Sequence, residues 1–113
     1  MSQEWLPQPD ADAIELVTVL HALGDPVRLQ LLGVYADAEE HDCDPCALGL
    51  ERLHKSTVSH HMRVLRESGL TSTRVAGRKR YVRLRRADLD ARFPGLLDSV
   101  LGALRGASGG IRG

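Results

Sequence analysis

Two sets of residues in this 113-residue chain have types and spacings suited to chemistry rather than packing. The first is the run His41-Asp42-Cys43-Asp44-Pro45-Cys46. Two thiolates and an imidazole form a borderline-soft donor set for nickel, zinc or a thiophilic metalloid, with a fourth ligand to come from elsewhere. Two other readings stay open: a redox-responsive thiol pair, and loop cysteines that bind nothing. A thiol oxidoreductase is disfavoured, because the pair precedes no βαβ unit and its acidic neighbours oppose thiolate formation. The chain is therefore not expected to be an enzyme.

The second set is basic and polar: Ser56, Thr57, Ser59, His60, Arg63 and Arg66, followed by Arg78, Lys79 and Arg80. The formal net charge of zero conceals how these residues are distributed. Residues 1–51 hold eleven acids and one base, residues 52–86 hold eleven bases and one acid, and the rest balances at three and three. The middle third thus carries a charge of plus ten. A run of like charge is often only a solvated segment. Here Val58, Met62, Leu65, Val82 and Leu84 recur between the bases, which points to a folded surface, and phosphate backbones are the usual partner of such a face. His60 and His61 are neighbours, so on a helix they diverge by about 100° and chelate poorly together. DNA contact suits His60, and packing or capping suits His61.

The elements that position these residues follow from periodicity and punctuation. Residues 10–24 predict a first helix, with Asp10 at its acidic start, Ile14, Val17, Leu20 and Leu23 near helical spacing, and Gly24 as terminator. Asp25 before Pro26 caps a second helix carrying Val27, Leu31, Val34 and Tyr35. The acidic stretch 36–45 reads as a loop, and residues 47–53 as a short third helix. Ser56 caps the next helix, whose apolar positions Val58, Met62 and Leu65 follow i, i+4, i+7, and Gly69 ends it. Alternation in residues 70–75 and 80–85, joined through Ala76-Gly77-Arg78, predicts a β-hairpin with Arg78, Lys79 and Arg80 at its tip. The last segment breaks at Pro94 and closes with an amphipathic helix bearing Phe93, Leu96, Leu97, Val100, Leu101 and Leu104.

A short helix and turn directly before a basic helix, followed by a basic hairpin, make a winged helix-turn-helix. The fold class is mainly α with a small β-hairpin. In such a unit the second helix enters the major groove, where Ser56, Thr57, Ser59, His60 and Arg63 can reach base edges. Arg66 adds charge to that helix, and Arg78, Lys79 and Arg80 can follow the backbone or the minor groove.

These residues resemble a known family. The run Ser56 to Leu70, followed by Gly77 to Leu84, is similar to the recognition helix and wing of ArsR/SmtB regulators. The family's recognition-helix pattern falls on Ser56, Ser59, His61, Met62 and Leu65, with Met62 in place of leucine, and its wing pattern on Gly77, Arg78 and Tyr81. Residues 22–32 are similar to the family's second-helix opening. The resemblance, covering roughly residues 21–104, implies a sequence-specific transcriptional regulator that binds double-stranded DNA at an inverted-repeat operator, as a homodimer joined through the first and last helices. Apolar stripes on both terminal helices support that pairing independently, because so small a core has little room for Val17, Leu20, Leu97, Val100, Leu101 and Leu104 together. Closure of the monomer's own core is the competing reading.

The family's members commonly sense metals or metalloids at one of two locations, near the third helix or on the last. Residues 87–113 hold no histidine, only Asp88, Asp90 and Asp98 as ligand types, so the second location is absent. The first falls on His41, Cys43 and Cys46, where relatives place a Cys-x-Cys cluster of different spacing. A divalent transition metal, nickel or zinc, or a thiophilic metalloid is the implied effector, and a redox-responsive or partner-dependent regulator without its own metal site is the alternative. His21 is expected at an interface, His54 in a turn, and Trp5 as an anchor for the N-terminal arm. No secretory or membrane-spanning pattern is present, so a cytoplasmic protein without membrane contact is expected. Residues 1–9 are read as an arm, 10–105 as the DNA-binding and dimerisation domain, and 106–113 as a flexible glycine-rich tail.

Overall fold

The structure, a computed structural model, describes residues 4–43 and 49–108. Its first helical segment departs from the single helix expected over residues 10–24. A turn of 3-10 helix, Ala11–Ala13, gives way to extended backbone at Ile14 and Glu15, and α1 spans only Leu16–Leu23. Two contacts account for the break. Ile14 is buried against Gly69, where a Cβ would lie 2.6 Å from the isoleucine Cγ1, and the Ile14 carbonyl accepts a hydrogen bond from the Arg92 guanidinium. A continuous helix would turn that carbonyl into its own ladder. The expected stripe therefore splits: Ile14 and Leu23 go inside with Val19 and Ala22, whereas Leu16, Val17 and Leu20 stay 43%, 77% and 48% exposed.

Helix α2, Pro26–Val34, begins as its sequence requires. The Asp25 carboxylate accepts hydrogen bonds from the backbone N–H groups of Val27 at 2.9 Å and Arg28 at 3.1 Å, and Pro26 occupies the first turn, where its missing donor costs nothing. The helix tightens into a 3-10 turn, Tyr35–Asp37, and buries Leu31, Leu32 and Tyr35.

The short helix expected over residues 47–53 is not found in the part described. Residues 49–54 form turns, closed by a 2.9 Å hydrogen bond from Leu53 N to the Leu50 carbonyl, while residues 47 and 48 lie outside the description. Gly49 has φ +73°, a left-handed conformation that interrupts any helix, while Leu50 is fully buried in the core and Leu53 packs against it.

Helix α3 spans Lys55–Glu67. His54, not Ser56, occupies the position before it, and no side chain caps it there. Ser56 already has helical backbone, whereas a capping residue must stand outside the helix. The C-terminal end closes as a Schellman motif. Gly69 N donates to the Arg66 carbonyl and Leu70 N to the Leu65 carbonyl, Gly69 takes φ +93°, and Leu65 and Leu70 are both buried.

The expected hairpin is present as β3, Thr71–Ala76, and β4, Lys79–Leu84, antiparallel from Thr71↔Leu84 to Ala76↔Lys79. Gly77 at φ 62° opens its two-residue turn. Two further strands join it. β1, Glu4–Trp5, pairs with β3, and β2, His41–Asp42, pairs with β4, giving the order β1-β3-β4-β2. The stretch expected as loop therefore contains a wing strand, and residues 4–5 of the arm belong to the same sheet.

Helices α4, Arg86–Arg92, and α5, Leu96–Ser108, complete the chain, separated at Phe93–Gly95 as Pro94 requires. Leu89, Leu97 and Leu101 enter the core, while Leu96, Val100 and Leu104 are only partly covered. The whole is a winged helix-turn-helix. Among the described residues no helix is long and apolar enough to cross a membrane.

Candidate nucleic-acid interface

Helix α3 divides cleanly along its length. Val58, His61, Met62 and Leu65 are buried, and Ser56, Thr57, Ser59, His60 and Arg63 are exposed. The outer face therefore carries hydroxyls, an imidazole and a guanidinium, groups able to hydrogen-bond base edges, on a helix held firmly by its apolar side. Arg66 sits differently. It is half-buried and its Nε donates to the Pro7 carbonyl at 3.1 Å, tying the end of this face to the N-terminal arm.

The wing places Arg78, Lys79 and Arg80 in exposed positions at its tip. Between α3 and that tip lies a cleft of about 600 Å³, lined by Lys55, Ser59 and Arg66 on the helix side and Arg78, Lys79 and Arg80 on the wing side. Val58 and Met62 contribute apolar wall, and Asp42 and Cys43 border it from β2. Five cations around one cleft focus a field that attracts a polyanion. The sequence-predicted contact residues converge on this cleft and the adjoining outer face of α3.

Acids from the front of the chain restrain part of this charge. Lys79 Nζ lies 3.1 Å from Asp42 Oδ2, and the Arg74 guanidinium donates twice to Glu40, at 2.8 and 2.7 Å, while stacking 4.7 Å from the centre of the Tyr81 ring. The hydrogen bond from Arg74 holds the Glu40 carboxyl below its ordinary range. Neither pair was visible in the linear charge count, which separates acids from bases without showing that β2 folds one block back upon the other.

Of the candidate ligands, His41 and Cys43 are described and Cys46 lies outside the described residues. Cys43 N donates to the Arg80 carbonyl at 2.9 Å, extending the β2–β4 ladder. Residues two apart on a strand share a face. His41 packs its ring 5.5 Å from that of Tyr35, and burial, together with the nearby Cys43, raises the Tyr35 phenol far above its ordinary range. His41 Nε2 also lies 2.9 Å from Asp37 Oδ1, a hydrogen bond that lowers the Asp37 carboxyl. A carboxylate on an imidazole is the usual means of orienting a ligating histidine. Among the described residues no three His, Cys, Asp or Glu side chains gather as a metal-holding group. The donor chemistry of His41 beside Cys43 suits a soft or borderline ion, but the pair is only part of a coordination shell. In the last helical region the acids are engaged elsewhere: Asp88 with Arg85, and Asp90 and Asp98 with Arg86.

Of the remaining expectations, His21 is exposed on α1, His54 precedes α3, and Trp5 is half-exposed on β1. Sequence reading missed a buried polar group behind α3, formed by Arg28 and His61. No local pattern announces it, because the contact joins positions 33 residues apart.

No protein-family profile matches the chain. Individual proteins do. It is 34% identical over 83 residues to the uncharacterized HTH-type transcriptional regulator YceK of Bacillus subtilis (strain 168), a match covering 73% of this chain and 82% of that protein. Arsenical resistance operon repressors of Staphylococcus xylosus and Staphylococcus aureus are each 37% identical over 76 residues, covering 67% of this chain and 71% of theirs. The crystal structure of a possible transcriptional regulator for arsenical resistance superposes with a TM-score of 0.58 at 28% identity, over 87% of this chain and 100% of that one.

Proposed function

The chain belongs to the ArsR family of HTH-type transcriptional regulators, and from that premise we propose that it reads its operator with α3 in the major groove and the β3–β4 wing on the flanking backbone. As a member of that family it is a transcriptional regulator and not an enzyme. The observation that carries the assignment of the reading face is that Lys55, Ser59 and Arg66 of α3 and the wing tip line one cationic cleft beside the exposed polar face of α3. Ser56, Thr57, Ser59, His60 and Arg63 meet base edges, and Arg66, Arg78, Lys79 and Arg80 hold phosphates, with Lys55 added to them by its place in the cleft.

The assembly is a symmetric homodimer. Leu16, Val17 and Leu20 form an exposed apolar face on α1, and Leu96, Val100 and Leu104 an incompletely covered one on α5. A second copy buries these surfaces and sets two reading helices for an inverted repeat with half-sites about one helical turn apart. The effector is a thiophilic metal or metalloid held by His41, Cys43 and Cys46. Support comes from the donor set and from the arsenical resistance repressors among the relatives. Nickel and zinc are compatible with the same ligands.

The decisive experiment is an operator titration in rising salt, repeated with arsenite, nickel, zinc and an oxidant in turn, on the wild type, Cys43→Ser and Cys46→Ser. Affinity should fall steeply with salt, and one effector should release the wild type but neither variant. Equal release of the variants would remove the loop as sensor. Release by an oxidant alone would replace the metal reading with a redox one.

A further inference from the structure

Arg28 and His61 are each only 8% exposed, and no role at the DNA surface or the effector loop uses them. His61 lies on α3 but points away from its reading face, into the frame made by α1 and α2. There the Arg28 guanidinium joins three helices. Its Nε donates to the Ala22 carbonyl in the last turn of α1, its stem rises from the first turn of α2, and its Nη1 lies 3.0 Å from His61 Nδ1 in the middle of α3. Arginine can only donate. Nδ1 must therefore present its lone pair, and the imidazole proton of the neutral ring sits on Nε2.

We infer that His61 is a positioning residue for DNA reading: accepting from Arg28, its neutral ring fixes the seat of α3 on the α1–α2 frame, and its protonation unseats the helix and weakens operator binding. The inference rests on α3 as the reading helix and is independent of any effector.

The step is a simple proton uptake. A solvent proton takes the Nδ1 lone pair, the Arg28 N–H loses its acceptor, and two cations face each other across the former hydrogen bond. The nearest carboxylate oxygen to the protonated Nδ1 is Asp25 Oδ2, 3.8 Å away, which already accepts from Val27 N and Arg28 N as the cap of α2. Drawing Asp25 towards His61 withdraws it from that cap. The charged and titratable groups facing His61 are thus Arg28 and Asp25 from α2 and His60, whose ring lies 5.7 Å away on α3, with the Ala22 carbonyl of α1 fixed on Arg28.

Burial holds His61 below the ordinary imidazole range; Arg28 and His60 act in the same direction, and Asp25 opposes them. An imidazole lowered on folding binds fewer protons folded than unfolded, so its seat is secure above the ordinary value of 6.5 and is lost as pH falls from there through the lowered one.

The test compares operator affinity of the wild type, His61→Asn and His61→Leu from about pH 8 down to about pH 5.5. Asparagine keeps an oxygen acceptor near the place of Nδ1 but does not titrate. At the upper pH, His61→Asn should bind within about threefold of the wild type, and His61→Leu about tenfold or more weakly. On acidification to about pH 5.5 the wild type should lose affinity relative to His61→Asn by about twofold to fivefold, less than the roughly tenfold that one unit below an unlowered imidazole would give. Parallel pH profiles of the wild type and His61→Asn, or equal losses for asparagine and leucine at the upper pH, would overturn the inference. A measurement on the unaltered protein stands beside these: the nitrogen-15 spectrum should show the Nε2–H tautomer of His61, titrating in step with the affinity. An Nδ1–H tautomer at neutral pH would refute it even if both variants failed to fold.

Discussion

Helices α1 and α3 look alike as sequence patterns, yet they present opposite chemistries to the outside. Helix α3 buries Val58, Met62 and Leu65 and exposes hydroxyls and arginine; α1 buries Val19, Ala22 and Leu23 and still exposes Leu16, Val17 and Leu20. Each has satisfied the same small core. On the function proposed above, what remains on the surface serves the next partner: a hydrated polyanion for one, an apolar surface for the other. The inward face of a helix reports its fold, and the residues left over report its function.

A charge placed on the apolar side should have the largest effect. Val17→Glu puts an unpaired carboxylate at the proposed dimer surface, at a cost of about 3–5 kcal/mol, so sedimentation should show a monomer and operator affinity should fall by more than about a hundredfold. An unchanged dimer would mean that α1 pairs with nothing at this position. On the polar side, Arg63→Ala should cost about 1–3 kcal/mol and relax base preference at one site, measured on a panel of single-base operator variants. Arg78→Ala should weaken all sequences alike and reduce the salt slope by about one. If both substitutions leave binding unchanged, the reading face has been misassigned.

Smaller effects test what joins the two helices. Asp25→Ala removes the cap of α2 between them and should lower stability by about 0.5–2 kcal/mol in denaturant melts. No change in the midpoint would mean that water replaces the carboxylate without loss. Asp42→Asn should strengthen DNA binding by only about twofold to fivefold, by releasing Lys79 from its carboxylate, because an exposed pair is weak. A loss of affinity would instead show that Asp42 orders the wing for binding.

Helix α3, the hairpin and the cap at Asp25 were legible in the sequence because each has a local signal: i, i+4, i+7 spacing, β alternation across Gly77, and an acid before Pro26. The exposed side chains Ser56, Thr57, Ser59, His60 and Arg63 followed from the same period. What escaped has no local signal. Strands β1 and β2 contain two residues each, too few to show an alternation, and exist only because β3 and β4 offer them edges. The break at Ile14 depends on Gly69 and Arg92, far along the chain, and the Arg28–His61 bond joins positions 33 residues apart.

The pairing of β2 with β4 has a consequence in time. A two-residue edge strand opens locally at a free energy far below that of global unfolding, and therefore much more often. Each opening frees the His41–Cys43 segment from Arg80 and carries Asp42 away from Lys79 in one event. The clock for exchange between loop and wing is thus set by a strand of two residues, while the longer helices keep their own, slower time.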